Sequence, residues 1–422
     1  MFRSVLSLAA LVAAAQAATS VCNQTTYTAT SQSDLDAIAS CGSLSGSLVI
    51  SDTLTSAAID GISSIGGSLT VSNNSQINTI SAPALDSIGG AFTLSELTLL
   101  TSLNFPRLAS VGSIYWVTLP ALSTLTFTTG VTDCPSIYIS DTDLTSLDGI
   151  SPTVATKFEI NNNLNLDTVD IPLEYATDQI DVSYNGNTDV SFPDLKWSNN
   201  LTFQDVASVS TPSLTTVNGS YLLISNVFTS LTASNLTSVG GLTITDNDDV
   251  TSISFPELVT IGTAGLDIAN NTDLENLSGF PKLTTVSGAI ILEGSFTNAT
   301  FPELTLVRGA VTIESDEDFD CSDFNALDED NGIRGNDYKC DAASSSTSVA
   351  NTAVATSTSG SSAEATTTKA SKTTTSSSAS STSGSSASTA TSTSTAGAAN
   401  IAISTSGYVF TGFLTALFFG IF

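Results

Sequence analysis

A short alternation of apolar and polar positions, usually closed by Asn or Asp, returns along most of the chain. It reads Leu69-Thr70-Val71-Ser72-Asn73, then Phe158-Glu159-Ile160-Asn161-Asn162, then Leu242-Thr243-Ile244-Thr245-Asp246. Its first position falls at Leu48, Leu69, Phe92, Ile114, Ile137, Phe158, Ile180, Leu201, Leu222, Leu242, Leu266, Ile290 and Val311, with spacings of 20 to 24 residues. The residue two further on is apolar in every copy, from Ile50 through Trp116 and Ile224 to Ile313. Alternation over four residues rich in β-branched types predicts a half-buried strand. Its return at a near-constant period predicts a solenoid, in which each coil buries its apolar face only against its neighbours.

Each copy carries further inward signals. Before the strand come Pro83, Leu85 and Ile88, or Pro256, Leu258 and Ile261. A glycine often follows, as at Gly89, Gly112, Gly240, Gly262 and Gly309, where a tight turn into the strand is expected. After the strand, Ile77 and Ile80, or Val250 and Ile253, supply another apolar pair. Three inward sides per coil, without ten residues of 3.6 periodicity, predict an all-β, right-handed β-helix rather than a β/α horseshoe. Asp52, Asn73, Asp141, Asn162, Asp205, Asn226, Asp246 and Asn270 stand four residues after the strand's first position. They are expected to form a stacked ladder that satisfies the turning backbone.

Targeting signals change the picture at both ends. Residues 1–17 read as a signal peptide, with Arg3 before an apolar run and small residues at Ala15 and Ala17. The solenoid is assigned to 18–340. A Ser/Thr/Ala-rich, disordered and O-glycosylated stalk is assigned to 341–396. Residues 397–422 read as a GPI-attachment signal, with Gly397 as the attachment residue and an apolar tail too short to span a membrane. In that secretory setting Cys22 and Cys41, and Cys321 and Cys340, each 19 apart, are read as disulfides closing the two end caps. Cys134 is left over, either as a buried thiol or as an intermolecular bridge. Asn-x-Ser/Thr sequons stand at Asn23, Asn73, Asn200, Asn218, Asn235, Asn270, Asn276 and Asn298.

Charge narrows the function. The chain has 40 acidic and 10 basic residues, no histidine, and a formal charge of -30. Such a surface repels phosphate backbones and excludes nucleic acid as a partner.

Signal peptide, acidic β coils, cysteine-bracketed ends, Ser/Thr stalk and GPI tail together resemble one family. The carrying motifs are Phe105-Pro106-Arg107-Leu108, Phe192-Pro193-Asp194-Leu195, Phe255-Pro256-Glu257-Leu258 and Phe301-Pro302-Glu303-Leu304. The chain is similar to the fungal GPI-anchored cell-wall organisation proteins, including the sporulation-specific and protoplast-secreted members. Their folded part resembles the receptor L-domain, a leucine-rich-repeat-like β-helix. The resemblance implies a non-enzymatic role in cell-wall integrity, at the outer face of the plasma membrane and in the wall. It implies wall polysaccharide or surface glycoproteins as partners and a membrane link through a GPI lipid. It brings no catalytic residues, cofactor or metal.

Three other readings stand beside it. A β-helical polysaccharide-modifying enzyme would draw on Asp246, Asp248, Asp249, Asp267 and Asp273. Asn187-Thr188-Asp189 and Asn271-Thr272-Asp273 resemble a short polygalacturonase motif, but that family's histidine motif has no counterpart here. Calcium at Asp246, Asp248 and Asp249 lacks the spaced glycines of a calcium repeat. A glycan- or protein-binding receptor has a more specific candidate. Tyr115 and Tyr138 hold the same outward position on adjacent coils, flanked by Glu159, Asn161 and Asp181. They are expected to form a small aromatic platform, or else a pair that only stabilises the sheet.

Overall fold

A computed structural model of the chain describes residues 21–343. The segments expected to be the signal peptide, nearly all of the stalk, and the anchor signal with Gly397 lie outside the described residues. The body is an all-β solenoid of about 13 turns. Its strands pair in parallel from coil to coil, with Leu48 beside Leu69, Leu69 beside Phe92, and so on to Ile290 beside Val311. This main sheet holds 20 strands, and smaller parallel sheets such as Ser56–Ala58, Thr79–Ser81 and Ser102–Asn104 form another side.

The expected inward residues are buried in twelve of the thirteen copies. The exception is a slip in phase. Tyr221 pairs with Leu201 and Leu223 with Phe203, so Tyr221 and Leu223 point inward while Leu222 and Ile224 face out. Tyr221-Leu222-Leu223-Ile224 is apolar throughout, so alternation cannot set its phase. Here stacking decides.

The FPxL segments are β-turns. Leu108 N–H donates to Phe105 O at 3.2 Å, and Leu258 N–H to Phe255 O at 3.2 Å. Proline takes the second turn position, where its fixed φ is an advantage, while the flanking Phe and Leu drop into the core, fully in the first three segments and partly at Phe301 and Leu304. The phenyl rings then stack along the axis: Phe255 on Phe280 at 5.2 Å and Phe280 on Phe301 at 5.5 Å.

The glycines serve a different end from the one expected. Gly89 and Gly112 have no left-handed φ. A Cβ on Gly112 would instead lie 2.5 Å from Gly89 O, and one on Gly89 2.5 Å from Gly66 O. Coil presses on coil at this corner, and only hydrogen fits. The left-handed residues come after the strand: Asn73, Asp141, Asn162, Asp205, Asp246 and Asn270 have φ between 55° and 58°. Asn and Asp tolerate that region better than other side-chain-bearing residues.

That turn also corrects the ladder. The residues expected in it, Asn226 excepted, turn outward, and after all of these but Asp52 the interior position falls one residue later. Two buried runs result. In the first, Asn163 Oδ1 accepts from Thr142 N–H at 3.1 Å, and Asn185 Oδ1 accepts from Asn163 N–H at 3.0 Å. In the second, Asn226 Oδ1 accepts from Val206 N–H at 3.1 Å, Asn247 Oδ1 from Asn226 N–H at 2.9 Å, and Asn271 Oδ1 from Asn247 N–H at 3.0 Å. Each amide carbonyl thus takes the backbone donor of the coil before it, which would otherwise be buried unpaired. Asn226 belongs here because its coil is the one out of phase.

Both caps are closed by the expected disulfides, Cys22–Cys41 and Cys321–Cys340. Each also contains a short helix that the repeat pattern did not reveal. In α1 (Gln32–Ile38), the Asp34 carboxylate accepts from Thr30 N–H at 2.8 Å and Ser31 N–H at 2.9 Å, which holds its pKa below the usual value. Ser31-x-x-Asp34 before Leu35 and Ile38 was the available signal. In α2 (Ser322–Glu329), Phe324 packs on Phe301 at 5.9 Å and closes the aromatic stack. The last strand, Tyr338–Ala342, pairs with Val311–Ser315 and runs two residues past the boundary assigned at Cys340. Those residues belong to the sheet rather than to a stalk.

Candidate functional site

Parallel pairing turns one outward strand position into a row along the axis. Thr93, Tyr115, Tyr138, Glu159, Asp181 and Thr202 are successive members. Ser140, Asn161 and Ser183 form the row beside it. The five candidate residues therefore share one face, as the sequence spacing requires.

The aromatic pair departs from a platform. Tyr115 and Tyr138 have ring centroids 5.3 Å apart and planes 15° from parallel. At that separation two rings cannot lie side by side in one plane, so each overlaps the other. They form a stacked ridge in which one face of each ring is covered by the other, and Tyr115 remains 46% exposed.

Beyond the ridge the row becomes acidic. The Glu159 carboxylate accepts from Gln179 Nε2 and faces Lys157 Nζ at 3.7 Å. Asp181 accepts from the Ser183 hydroxyl, yet burial pushes its pKa above the usual carboxylate range. In each carboxylate these contacts fall on one oxygen, so the other is available as an acceptor.

Tyr184 adds a residue that the sequence reading missed. It is 55% exposed and takes φ 57° at the turn position where most other copies place Asn or Asp. A bulky side chain held there is strained, and strain of this kind clusters at functional sites. Its signal was an aromatic residue in a column of Asn and Asp.

The residues of the rival readings are divided between scaffold and surface. Asn271 is a ladder residue, and Thr188 is buried with its hydroxyl donating to Leu166 O at 2.7 Å. Asp246, Asp248 and Asp249 are exposed, and Asp248 accepts from the Thr272 hydroxyl at 2.6 Å. Asp267 has a raised pKa through burial first, then through Glu293 and Asp246. Among the described residues no group of three His, Cys, Asp or Glu side chains is placed to hold a metal. Cys134 is buried, donates to Ser136 O at 3.3 Å, and has its thiol pKa pushed up to about 12 by burial. A thiol so enclosed is out of reach of a second chain and is not a nucleophile near neutral pH.

Seven sequon asparagines are exposed, and Asn200 is half-buried. The Asn200 side chain spans two coils, donating to Asp178 O at 3.3 Å and accepting from Ser220 N–H at 3.0 Å. Asn276 and Asn298 sit directly opposite each other on neighbouring coils.

No protein-family model matches the chain, and no solved structure matches it. Curated relatives do. The chain is 38% identical over 321 residues to the cell wall mannoprotein PST1 of Saccharomyces cerevisiae, covering 75% of this chain and 72% of that one. It is 37% identical over 348 residues to the protein ecm33 of Aspergillus fumigatus, covering 81% and 87%. It is 34% identical over 311 residues to the cell surface GPI-anchored protein ECM33 of Candida albicans, covering 72% and 69%. With likeness of this extent across the solenoid, the chain belongs to the fungal family of cell-wall and cell-surface proteins that also includes the yeast sporulation-specific proteins.

Proposed function

We propose that this chain is a GPI-anchored surface glycoprotein that supports cell-wall organisation and integrity without catalysing a reaction. Its partners in that role are wall polysaccharide or surface glycoproteins. The observation that carries the reading is the kinship with wall and surface proteins over most of the chain. The fold agrees with it. Thr188 and Asn271, each in a segment that resembled a catalytic motif, are occupied in holding coil to coil.

The test is genetic and uses the fungus that makes the protein. Loss of the chain should sensitise cells to wall-binding dyes and wall-degrading enzymes, and the full chain should restore resistance. A chain lacking residues 397–422 should be shed into the medium and fail to restore it. A normal wall in the deletion strain would sink the proposal. Restoration by the shed form would remove the anchor from it.

A further inference from the structure

The sequons are unevenly placed. Between Asn74 and Asn199 none occurs, although asparagine recurs at positions 161, 162, 163, 165, 185 and 187. This sequon-free belt holds the Tyr115–Tyr138 ridge, Glu159 and Asp181. It also holds most of the large apolar side chains left in solvent, among them Leu99, Leu164 and Tyr184 in the turns beside that face. Elsewhere the solenoid offers attachment points for bulky sugars. Here it keeps a bare strip of exposed aromatic and acceptor groups.

We propose that this strip binds a linear, neutral polysaccharide lying along the solenoid axis; the proposal rests on the wall role above and names its ligand. Three features select that occupant. Coils repeat every ~4.8 Å, and a linear chain of pyranose rings advances by a similar distance per sugar, so equivalent contacts recur along the row. The free carboxylate oxygens of Glu159 and Asp181, with the Asn161 amide, match hydroxyl donors. The exposed aromatic surface of Tyr115 and Tyr184 matches the apolar C–H faces of the sugars. A formal charge of -30 disfavours anionic polymers and a second copy of this chain, whereas a neutral glycan meets no such repulsion.

The test uses the full glycosylated chain from a fungal host, with insoluble β-1,3-glucan, chitin and mannan as probes. Tyr115→Ala combined with Tyr138→Ala should weaken retention at least tenfold. A second variant leaves the ridge intact. Thr93→Asn creates a sequon with Leu94 and Ser95 one coil before Tyr115 on the same row, and its glycan should block binding to a similar degree. Thr243→Asn creates one with Ile244 and Thr245 outside the belt and should change binding less than twofold. Glycan occupancy is read by mass spectrometry and folding by thermal unfolding. Retention of none of the probes by the wild-type chain overturns the proposal. So does equal loss in both sequon variants, or undiminished binding with Thr93→Asn occupied. The two readings fail separately: a wall defect without glycan binding spares the structural role, and binding without a wall defect spares the site.

Discussion

Two stretches of the solenoid share an interior and differ outside. In the coils from Phe92 to Asn185, the outward row runs through Tyr115, Tyr138, Glu159 and Asp181 and carries no sequon. In the coils from Leu242 to Ser315, the equivalent row reads Thr243, Asp267, Ile291 and Thr312, beside a second row containing Glu293 and Glu314. Sequons stand in the same coils at Asn270, Asn276 and Asn298. Inside, both stretches stack the same apolar positions and the same kind of asparagine ladder. The interior repeats because each coil must fit the next. The exterior is less constrained by its neighbours, so differences between coils accumulate there, and function is to be sought there.

The sharpest way to test this division is to change adjacent residues that face opposite ways. Trp116 is fully buried, edge-on to Phe92 at 5.6 Å, whereas Tyr115 stands in solvent. Trp116→Ala should cost about 4 kcal/mol in denaturant unfolding, and Tyr115→Ala about 0.5 kcal/mol. Similar losses for the two would mean that the outer row also belongs to the scaffold.

A smaller contrast lies within one turn. Asn247→Ala deprives the Asn226 N–H of its buried acceptor and should cost about 2–3 kcal/mol. Asp246→Ala disturbs only the exposed left-handed residue and should cost about 1 kcal/mol. A larger cost at Asp246 than at Asn247 would return the ladder to the position expected from sequence.

The smallest effect is in pH. Asp181 in the first stretch and Asp267 in the second both have folded-state pKa values above the ordinary 3.8, chiefly through burial. These two groups therefore bind more protons in the folded chain than in the unfolded chain in mild acid. Their contribution is most favourable below about pH 4 and is lost as pH rises through the raised values. Thermal midpoints should fall between mild acid and neutrality, and Asp181→Asn or Asp267→Asn should reduce that fall. A wild-type midpoint that rises with pH across this range would contradict the assignment. Asp34 works in the opposite sense, since its lowered pKa favours the folded state above the ordinary range and the benefit is lost in stronger acid.

Much of this was legible in the chain itself. Period and alternation sufficed for the strands because one face is buried and the other wet. They failed at Tyr221-Leu222-Leu223-Ile224, where both faces are apolar and only the adjoining coils define which is inside. The ladder was placed one residue early because composition marks Asn and Asp without separating the left-handed φ from the buried hydrogen bond. Both requirements favour asparagine, and Asn162-Asn163 and Asn270-Asn271 satisfy them in succession. The candidate row followed from register alone. The overlap of its rings did not, because a strand position fixes where a side chain leaves the backbone and not how its ring tilts.

The C-terminal cap has a mechanical consequence. Tension entering the body from residue 344 onward meets the strand Tyr338–Ala342 at its outer end. That strand could peel from its neighbour only as far as Cys340, because the bond to Cys321 ties it to the start of α2. Further extension must pull on Cys321 and the residues before it, because the disulfide carries the load past the enclosed loop that holds α2. A pull on the tail is thus borne by a sheet edge and then by the crosslink, and a reducing agent should let it draw on α2, whose Phe324 is seated against Phe301.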